Sequence, residues 1–126
     1  FEEIEKTLDY VRMLRDAGAT MIAVHGRRID QKNSREIRAD WSVIKRIVEE
    51  FPDVPIIANG NIRNREDVEE CLRFTGAAAV MSAQTLLDDP TALEGGGRPT
   101  ITEDPEQSAR SMIEYISLVE KHPTKM

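Results

Sequence analysis

The chain has 126 residues, about one domain's worth, with 40% hydrophobic and 32% charged residues, as is ordinary for a soluble globular protein. Its net charge of −6 argues against nucleic-acid binding through bulk electrostatics. The sequence contains no apolar run near the roughly 20 residues of a membrane span, which predicts no membrane partner. The single Cys71 excludes an internal disulfide and a thiolate metal site, and it favours the reducing cytosol.

The first predicted element is a helix from residue 2 to about residue 16, because its apolar residues recur at three- and four-residue spacing. Ala17-Gly18 supplies its end. The chain starts at Phe1 inside this pattern without an initiating methionine, so we expect it to be cut from something longer. A buried strand over residues 20–24 follows and ends at His25-Gly26-Arg27.

A basic segment at residues 27–38 comes next. It contains five cations and only two carboxylates, which gives a local net charge of +3 in an acidic chain. The cations are Arg27, Arg28, Lys32, Arg35 and Arg38. The segment is long for a connection between a strand and a helix, which favours either a polyanion contact or a merely solvated loop.

Asp40 is predicted to cap the second helix, which Pro52 terminates. Its apolar face is made of Trp41, Ile44, Ile47, Val48 and Phe51.

Residues 55–81 form one complete unit of strand, turn, helix and strand. Continuous apolar runs at 55–58 and 77–81 predict strands buried on both faces, and the helix between them, which Gly76 ends, implies that they pair in parallel. The fold class is therefore α/β with three parallel strands and crossover helices. Three strands are too few to close a barrel, so the chain looks incomplete.

The turn at Asn59-Gly60-Asn61 is a candidate anion site. Gly60 permits close approach of a ligand, and the backbone amides near Asn61 and the following helix point out of the carboxyl end of the strand. The alternative is an ordinary turn between strand and helix, with Asn64 as the helix cap.

Beyond the third strand we expect a turn at 88–90 and a short helical piece at 91–93. Glycines 95–97 mark the best domain boundary, which divides the chain into residues 1–94, a linker at 95–103 and a helical region at 104–126. Asp104 is predicted to cap the last helix, whose apolar stripe must pack on the α/β layer or on further helices.

Several motifs occur in order at successive strand ends: His25-Gly26-Arg27, Ala58-Asn59-Gly60-Asn61-Ile62 and Val80-Met81-Ser82-Ala83. With Gln31-Lys32 and Trp41 between them, they resemble the tRNA-dihydrouridine synthases of eukaryotic type. Members of that family are FMN-containing TIM barrels with a C-terminal helical domain, and they reduce uridine in tRNA with NADPH as the electron donor. The resemblance implies that residues 1–94 are the C-terminal part of a (β/α)8 barrel, with the three strands as its sixth to eighth.

The family would place the FMN phosphate at the loops after the seventh and eighth strands, and His25 beside the flavin ring. The implied cofactor-binding residues are His25, Asn59, Gly60, Asn61, Ala83 and Gln84, and the implied tRNA-binding residues are the five cations of the basic segment. A histidine satisfied by a backbone carbonyl is the alternative for His25. The chain departs from the family at Gln84-Thr85, where glycine commonly stands at the second position, and at Arg28, where a small hydroxyl residue is frequent.

The family's catalytic cysteine belongs to an earlier strand, so the resemblance assigns no catalytic residue here and implies that the chain alone is inactive. Cys71 falls on a crossover helix and is predicted to pack in the core. The implied partners are tRNA and the missing half of the barrel, or a second copy of the chain, in the cytoplasm or the nucleus. Two rival hypotheses are an inactive RNA-binding or interaction paralogue and another FMN-dependent barrel acting on a small metabolite.

Overall fold

The computed structural model describes residues 2–31, 37–93 and 104–123. The predicted linker at 95–103 and two of the predicted RNA-binding residues, Lys32 and Arg35, lie outside these residues.

Helices and strands alternate along the first part of the chain. The order is α1 (Glu2–Asp16), β1 (Ile22–His25), α2 (Trp41–Glu50), β2 (Ile56–Asn59), α3 (Arg65–Thr75) and β3 (Ala79–Met81), followed by the short α4 (Gln84–Asp88) and by α5 (Pro105–Lys121). This order confirms the predicted α/β class. The short helix after the third strand differs from the prediction. It spans Gln84–Asp88, whereas the sequence predicted a helical piece at 91–93.

The helix boundaries follow from local side-chain chemistry. Asp40, Asn64 and Asp104 each accept a hydrogen bond from a backbone amide in the first turn of α2, α3 and α5, respectively. This confirms the caps predicted at Asp40 and Asp104 and the cap that the alternative interpretation of the Asn59-Gly60 turn placed at Asn64. Gly76 ends α3 in the left-handed conformation with φ of 71°, as the sequence predicts.

The three strands form one parallel sheet in the order β1-β2-β3. Ile22 pairs with Ile56, and Val24, Ala58 and Val80 share a row on the same face. This face packs on the helices and holds the hydrophobic core, to which α1 contributes Leu8, α2 contributes Ile47 and α3 contributes Cys71. Phe51, the residue that follows α2, also belongs to the core. The core role predicted for Cys71 is therefore confirmed, since its side chain is fully buried.

The described residues do not cover the second face of the sheet. Ala23, Ala79 and Met81 are exposed on it, so the expectation of strands buried on both faces is wrong for β1 and β3. The physical reason is that α1, α2 and α3 supply apolar side chains to one face only. A continuous apolar run indicates that a strand can be buried on both faces. Whether both faces are buried depends on which other elements pack against the sheet.

α5 does not bury its apolar stripe against the described part of the chain. Met112, Ile113 and Ile116 are at least half exposed, and none of the helix's side chains is buried. Of the two packing partners expected for this helix, the α/β layer does not cover it here. Among the described residues, no helix is both long and apolar enough to cross a membrane.

Candidate functional site

The three strands end side by side at one rim of the sheet. His25 pairs with Asn59 and Asn59 pairs with Met81, so these residues form one row on the open face. The amide nitrogen of Asn59 lies 3.5 Å from the sulfur of Met81. Parallel pairing brings the carboxyl ends of all three strands to the same edge, where ligands of α/β sheets commonly bind.

The loop after β2 adopts a conformation that few residues accept. Gly60 has a φ of 113°, and a Cβ built there would lie 2.7 Å from the Cβ of Ala39 and 3.2 Å from Cε1 of His25. The carbonyl of Gly60 accepts a hydrogen bond of 3.0 Å from the indole nitrogen of Trp41. Glycine is therefore required at this position both by the backbone and by its neighbours.

Asn61 joins this loop to the basic segment. Its backbone is left-handed with φ of 62°, a conformation that asparagine tolerates better than most residues. Its side-chain oxygen accepts hydrogen bonds from the backbone amide of Ala39 and, at 3.0 Å, from the guanidinium of Arg27. Arg27 also donates to the carbonyl of Ile37 at 2.6 Å, so Asn61 and Arg27 together hold both ends of the segment beside the sheet.

The loop after β3 is tied to the loop after β2 through one carbonyl. The hydroxyls of Ser82 and Thr85 each donate to the carbonyl oxygen of Ile62 at 2.8 Å. The side chain of Gln84 runs along α4 and donates to Asp88 at 2.8 Å. Sequence reasoning did not assign Ser82 or Thr85 to the site, and the available signal was two hydroxyl residues within four positions after the third strand.

A pocket of about 560 Å³ opens where these loops meet. All six residues predicted to bind the cofactor line it: His25, Asn59, Gly60, Asn61, Ala83 and Gln84. Arg27, Arg63, Ser82 and Thr85 line it as well, and Asp88 is its one carboxylate. Two guanidinium groups and several amides form a donor set suited to an anionic, hydrogen-bonding ligand such as a phosphate monoester.

Arg63 lines the pocket of about 560 Å³ and was not among the residues predicted from the sequence. It is held by Asp67, to which it donates from its backbone amide at 3.0 Å and from its side chain at 2.9 Å. Burial raises the pKa of Asp67, but the hydrogen bonds from Arg63 and the charges of Arg63 and Arg38 outweigh it and leave that pKa below its usual value. The available signal for this ion pair was a basic residue just before the predicted helix cap Asn64 and an acidic residue in the first turn after it.

The environment of His25 favours a neutral imidazole. Although part of the ring remains open to solvent, desolvation lowers its pKa and the charge of Arg27 lowers it further. The folded chain therefore binds this proton less readily than the unfolded chain does. Its contribution to stability is fully present above pH of about 6.5 and is lost as pH falls from there through the folded-state pKa.

We expect the His25 ring to titrate below its ordinary value in a proton NMR titration. Arg27→Gln should raise this pKa without restoring it fully, because the larger cause, desolvation, remains. Arg28→Gln is the matched control, since Arg28 lies one residue on and forms an ion pair with Asp30 at 3.0 Å. A His25 that titrates at about 6.5 or above in the wild type would contradict this environment.

The cations of the basic segment do not share one role. Arg27 is half-buried and turned into the pocket, Arg28 is exposed beside Asp30, and Arg38 is exposed close enough to Asp67 to affect its pKa. Arg38 also borders a second pocket of about 320 Å³, whose walls include Trp41 and Phe74.

Fold and site together define an α/β protein whose parallel strands hold a polar, anion-suited pocket at their carboxyl ends. The sequence profile of the family described as Dihydrouridine synthase (Dus) matches residues 2–126. The chain therefore belongs to the dihydrouridine synthase family, which confirms the resemblance seen in its motifs.

Curated relatives agree with this assignment. A rat protein named tRNA-dihydrouridine(16/17) synthase NAD(P)(+)-like is 40% identical over 123 residues, covering 98% of this chain and 26% of the relative. The fission yeast (Schizosaccharomyces pombe) tRNA-dihydrouridine(16/17) synthase is 37% identical over 103 residues, covering 81% of this chain and 26% of the relative. A Caenorhabditis elegans protein named as an uncharacterized tRNA-dihydrouridine synthase-like protein is 40% identical over 114 residues, covering 90% of this chain and 38% of the relative. The chain thus spans about a quarter of the length of the rat and fission yeast proteins.

Proposed function

We propose that this chain is the C-terminal part of the FMN-binding barrel of a tRNA-dihydrouridine synthase, which reduces uridine in tRNA with NADPH as electron donor. One observation carries the proposal: the row of His25, Asn59 and Met81 and the loops after β2 and β3 line a single polar pocket. Family membership supports the barrel and the reaction. The strand-end position of the pocket is where barrels of this class bind ligands.

In this proposal the two loops hold the phosphate of FMN. The backbone amides of Gly60 and Asn61 supply donors from one side, and those of Ala83 and Gln84 supply them from the other. Ala83 precedes α4 without a side-chain hydrogen bond to the first turn, so amides of that turn remain available to an anion. The guanidinium of Arg27 adds positive charge to the same pocket.

His25 faces the remainder of the pocket, where the flavin ring is proposed to lie. As a neutral imidazole it can donate one hydrogen bond and accept another. A bound FMN, once reduced by NADPH, would supply the hydride that uridine reduction requires. The contribution of this chain is to bind and orient the cofactor, and Cys71 is too deeply buried in the core to act as a proton donor.

The division of the chain follows from the same proposal. Residues 1–94 belong to the barrel, 95–103 link it to the helical region, and 104–126 begin that region. The uncovered sheet face, with Ala23, Ala79 and Met81, is proposed to line the interior of the completed barrel. A second copy of the chain is the alternative cover.

Purification of the full-length protein that carries this chain tests the function directly. We expect a yellow protein that releases FMN on denaturation and forms dihydrouridine in unmodified tRNA when NADPH is supplied. A yellow protein that leaves tRNA unchanged would favour an FMN enzyme for a small metabolite. A colourless protein that still binds tRNA would favour the inactive RNA-binding paralogue. Either result would overturn the proposed reaction.

We propose that the exposed cations of the basic segment contact the tRNA backbone. Arg38→Glu in the full-length protein should weaken tRNA binding severalfold and reduce the slope of log affinity against log salt by about 1, because one phosphate contact is lost. Arg46→Glu is the matched control, since Arg46 is an exposed arginine on α2 paired with Glu50 at 3.3 Å. Equal effects of the two substitutions on affinity and slope would show that only net charge matters.

A further inference from the structure

The carbonyl of Ile62, in the loop after β2, is hydrogen-bonded to the loop after β3. Its oxygen accepts from the hydroxyls of Ser82 and Thr85 at 2.8 Å each, which matches the two lone pairs that a carbonyl offers. The side chain of Ile62 is 3% exposed and belongs to the hydrophobic core. The acceptor is therefore fixed by the core of the domain.

On the donor side of this contact, Asp89, the residue after α4, is buried, whereas α4 itself does not enter the core. α4 has five residues and none of them is buried, and the residue before it gives it no side-chain cap. Thr85 lies within α4, so its bond to Ile62 ties this helix to the core-anchored loop. Ser82 makes the equivalent bond from the residue that follows β3.

We propose that Thr85 is a positioning residue, which holds the loop after β3 at the distance from Gly60 and Asn61 that the phosphate of a flavin mononucleotide requires. Ser82 supports it through the same acceptor. This inference rests on the proposed function, because it concerns the phosphate half of that pocket. It predicts that the hydroxyl of Thr85 affects binding of the phosphate and leaves binding of the flavin ring unchanged.

The test compares FMN with riboflavin, which has the same ring and no phosphate, by fluorescence quenching titrations of the flavin-free full-length protein. Thr85→Val removes the hydroxyl and keeps the branched shape. It should weaken FMN binding by about five- to tenfold, as expected for one lost hydrogen bond, and leave riboflavin binding within about twofold. Thr85→Ser keeps the hydroxyl and should retain most of the wild-type affinity for FMN.

A double variant makes the test independent of either single hydroxyl. Ser82→Ala with Thr85→Val leaves the carbonyl of Ile62 without a side-chain donor and should reduce FMN binding further than Thr85→Val alone, with riboflavin again unaffected. Unchanged riboflavin affinity also shows that the variants are folded.

The outcomes separate the two proposals. A wild type that binds FMN no more tightly than riboflavin removes the phosphate site, and this inference falls with it. A wild type that prefers FMN, with Thr85→Val showing the same preference, overturns only the role of Thr85. Parallel losses of FMN and riboflavin binding also overturn it, because they indicate general disruption of the pocket.

Discussion

Gly60→Ala is expected to destabilise the folded chain by about 3–5 kcal/mol, the sum of backbone strain and steric overlap. The backbone at Gly60 has a φ of 113°, and the new Cβ would lie 2.7 Å from the Cβ of Ala39. The Cβ of Ala39 is fixed to its backbone, so the overlap can be relieved only by moving the end of the basic segment. Urea unfolding followed by circular dichroism measures the loss.

Two further variants separate strain from overlap. Gly18 also has a positive φ of 99°, but a Cβ there would meet nothing within 4 Å. Gly18→Ala should therefore cost only the strain of about 1–2 kcal/mol. In the background of Ala39→Gly, Gly60→Ala should become less costly, since the nearest contact is removed. If Gly60→Ala and Gly18→Ala were equally destabilising, the proposed close packing at Gly60 would be wrong.

The same change should reach the pocket that we propose binds FMN. A Cβ at Gly60 would lie 3.2 Å from the ring of His25, so the wall of the pocket must shift as well. We expect the full-length Gly60→Ala protein to retain at least tenfold less flavin than the wild type, whereas Gly18→Ala retains its flavin.

Asn61→Ala is expected to cost about 2–4 kcal/mol, because it removes an acceptor shared by a backbone amide and a charged guanidinium. The amide of Ala39 loses its partner, and Arg27 loses one of its two bonds and keeps the one to the carbonyl of Ile37, as far as the described residues show. The left-handed backbone of residue 61 adds to the cost, since alanine adopts φ of 62° less readily than asparagine.

Matched substitutions at the same position distinguish these causes. Asn61→Gly accepts the backbone conformation and lacks the acceptor, so it reports the hydrogen bonds alone. Asn61→Asp keeps an acceptor oxygen and should remain close to the wild type in stability. Hydrogen exchange of the Ala39 amide should accelerate in the alanine and glycine variants only. Protection of that amide in Asn61→Ala would refute the role of Asn61 as the link between the two loops.

The local parts of this protein were determined by its sequence alone. Asp40, Asn64 and Asp104 cap their helices through atoms only two or three residues away, and Gly76 ends α3 through its own backbone. The parallel pairing was also predictable, because two apolar runs joined by a crossover helix leave few other arrangements. The family resemblance carried by motifs at the strand ends implied six cofactor-binding residues, and the folded chain brings all six to the lining of one pocket.

Only the tertiary structure decided how those strand ends are held together. The bonds from Ser82 and Thr85 to Ile62, and from Ala39 and Arg27 to Asn61, join residues 20 to 34 positions apart, and no local propensity specifies such partners. The position of Arg27 was also decided by the tertiary structure. Its charge suggested a contact with RNA, whereas its hydrogen bonds to Ile37 and Asn61 turn it into the pocket. The exposure of the second sheet face could not be predicted from the sequence either. Apolar composition indicates that a surface is suited to burial, but the position of the packed helices decides which face they cover.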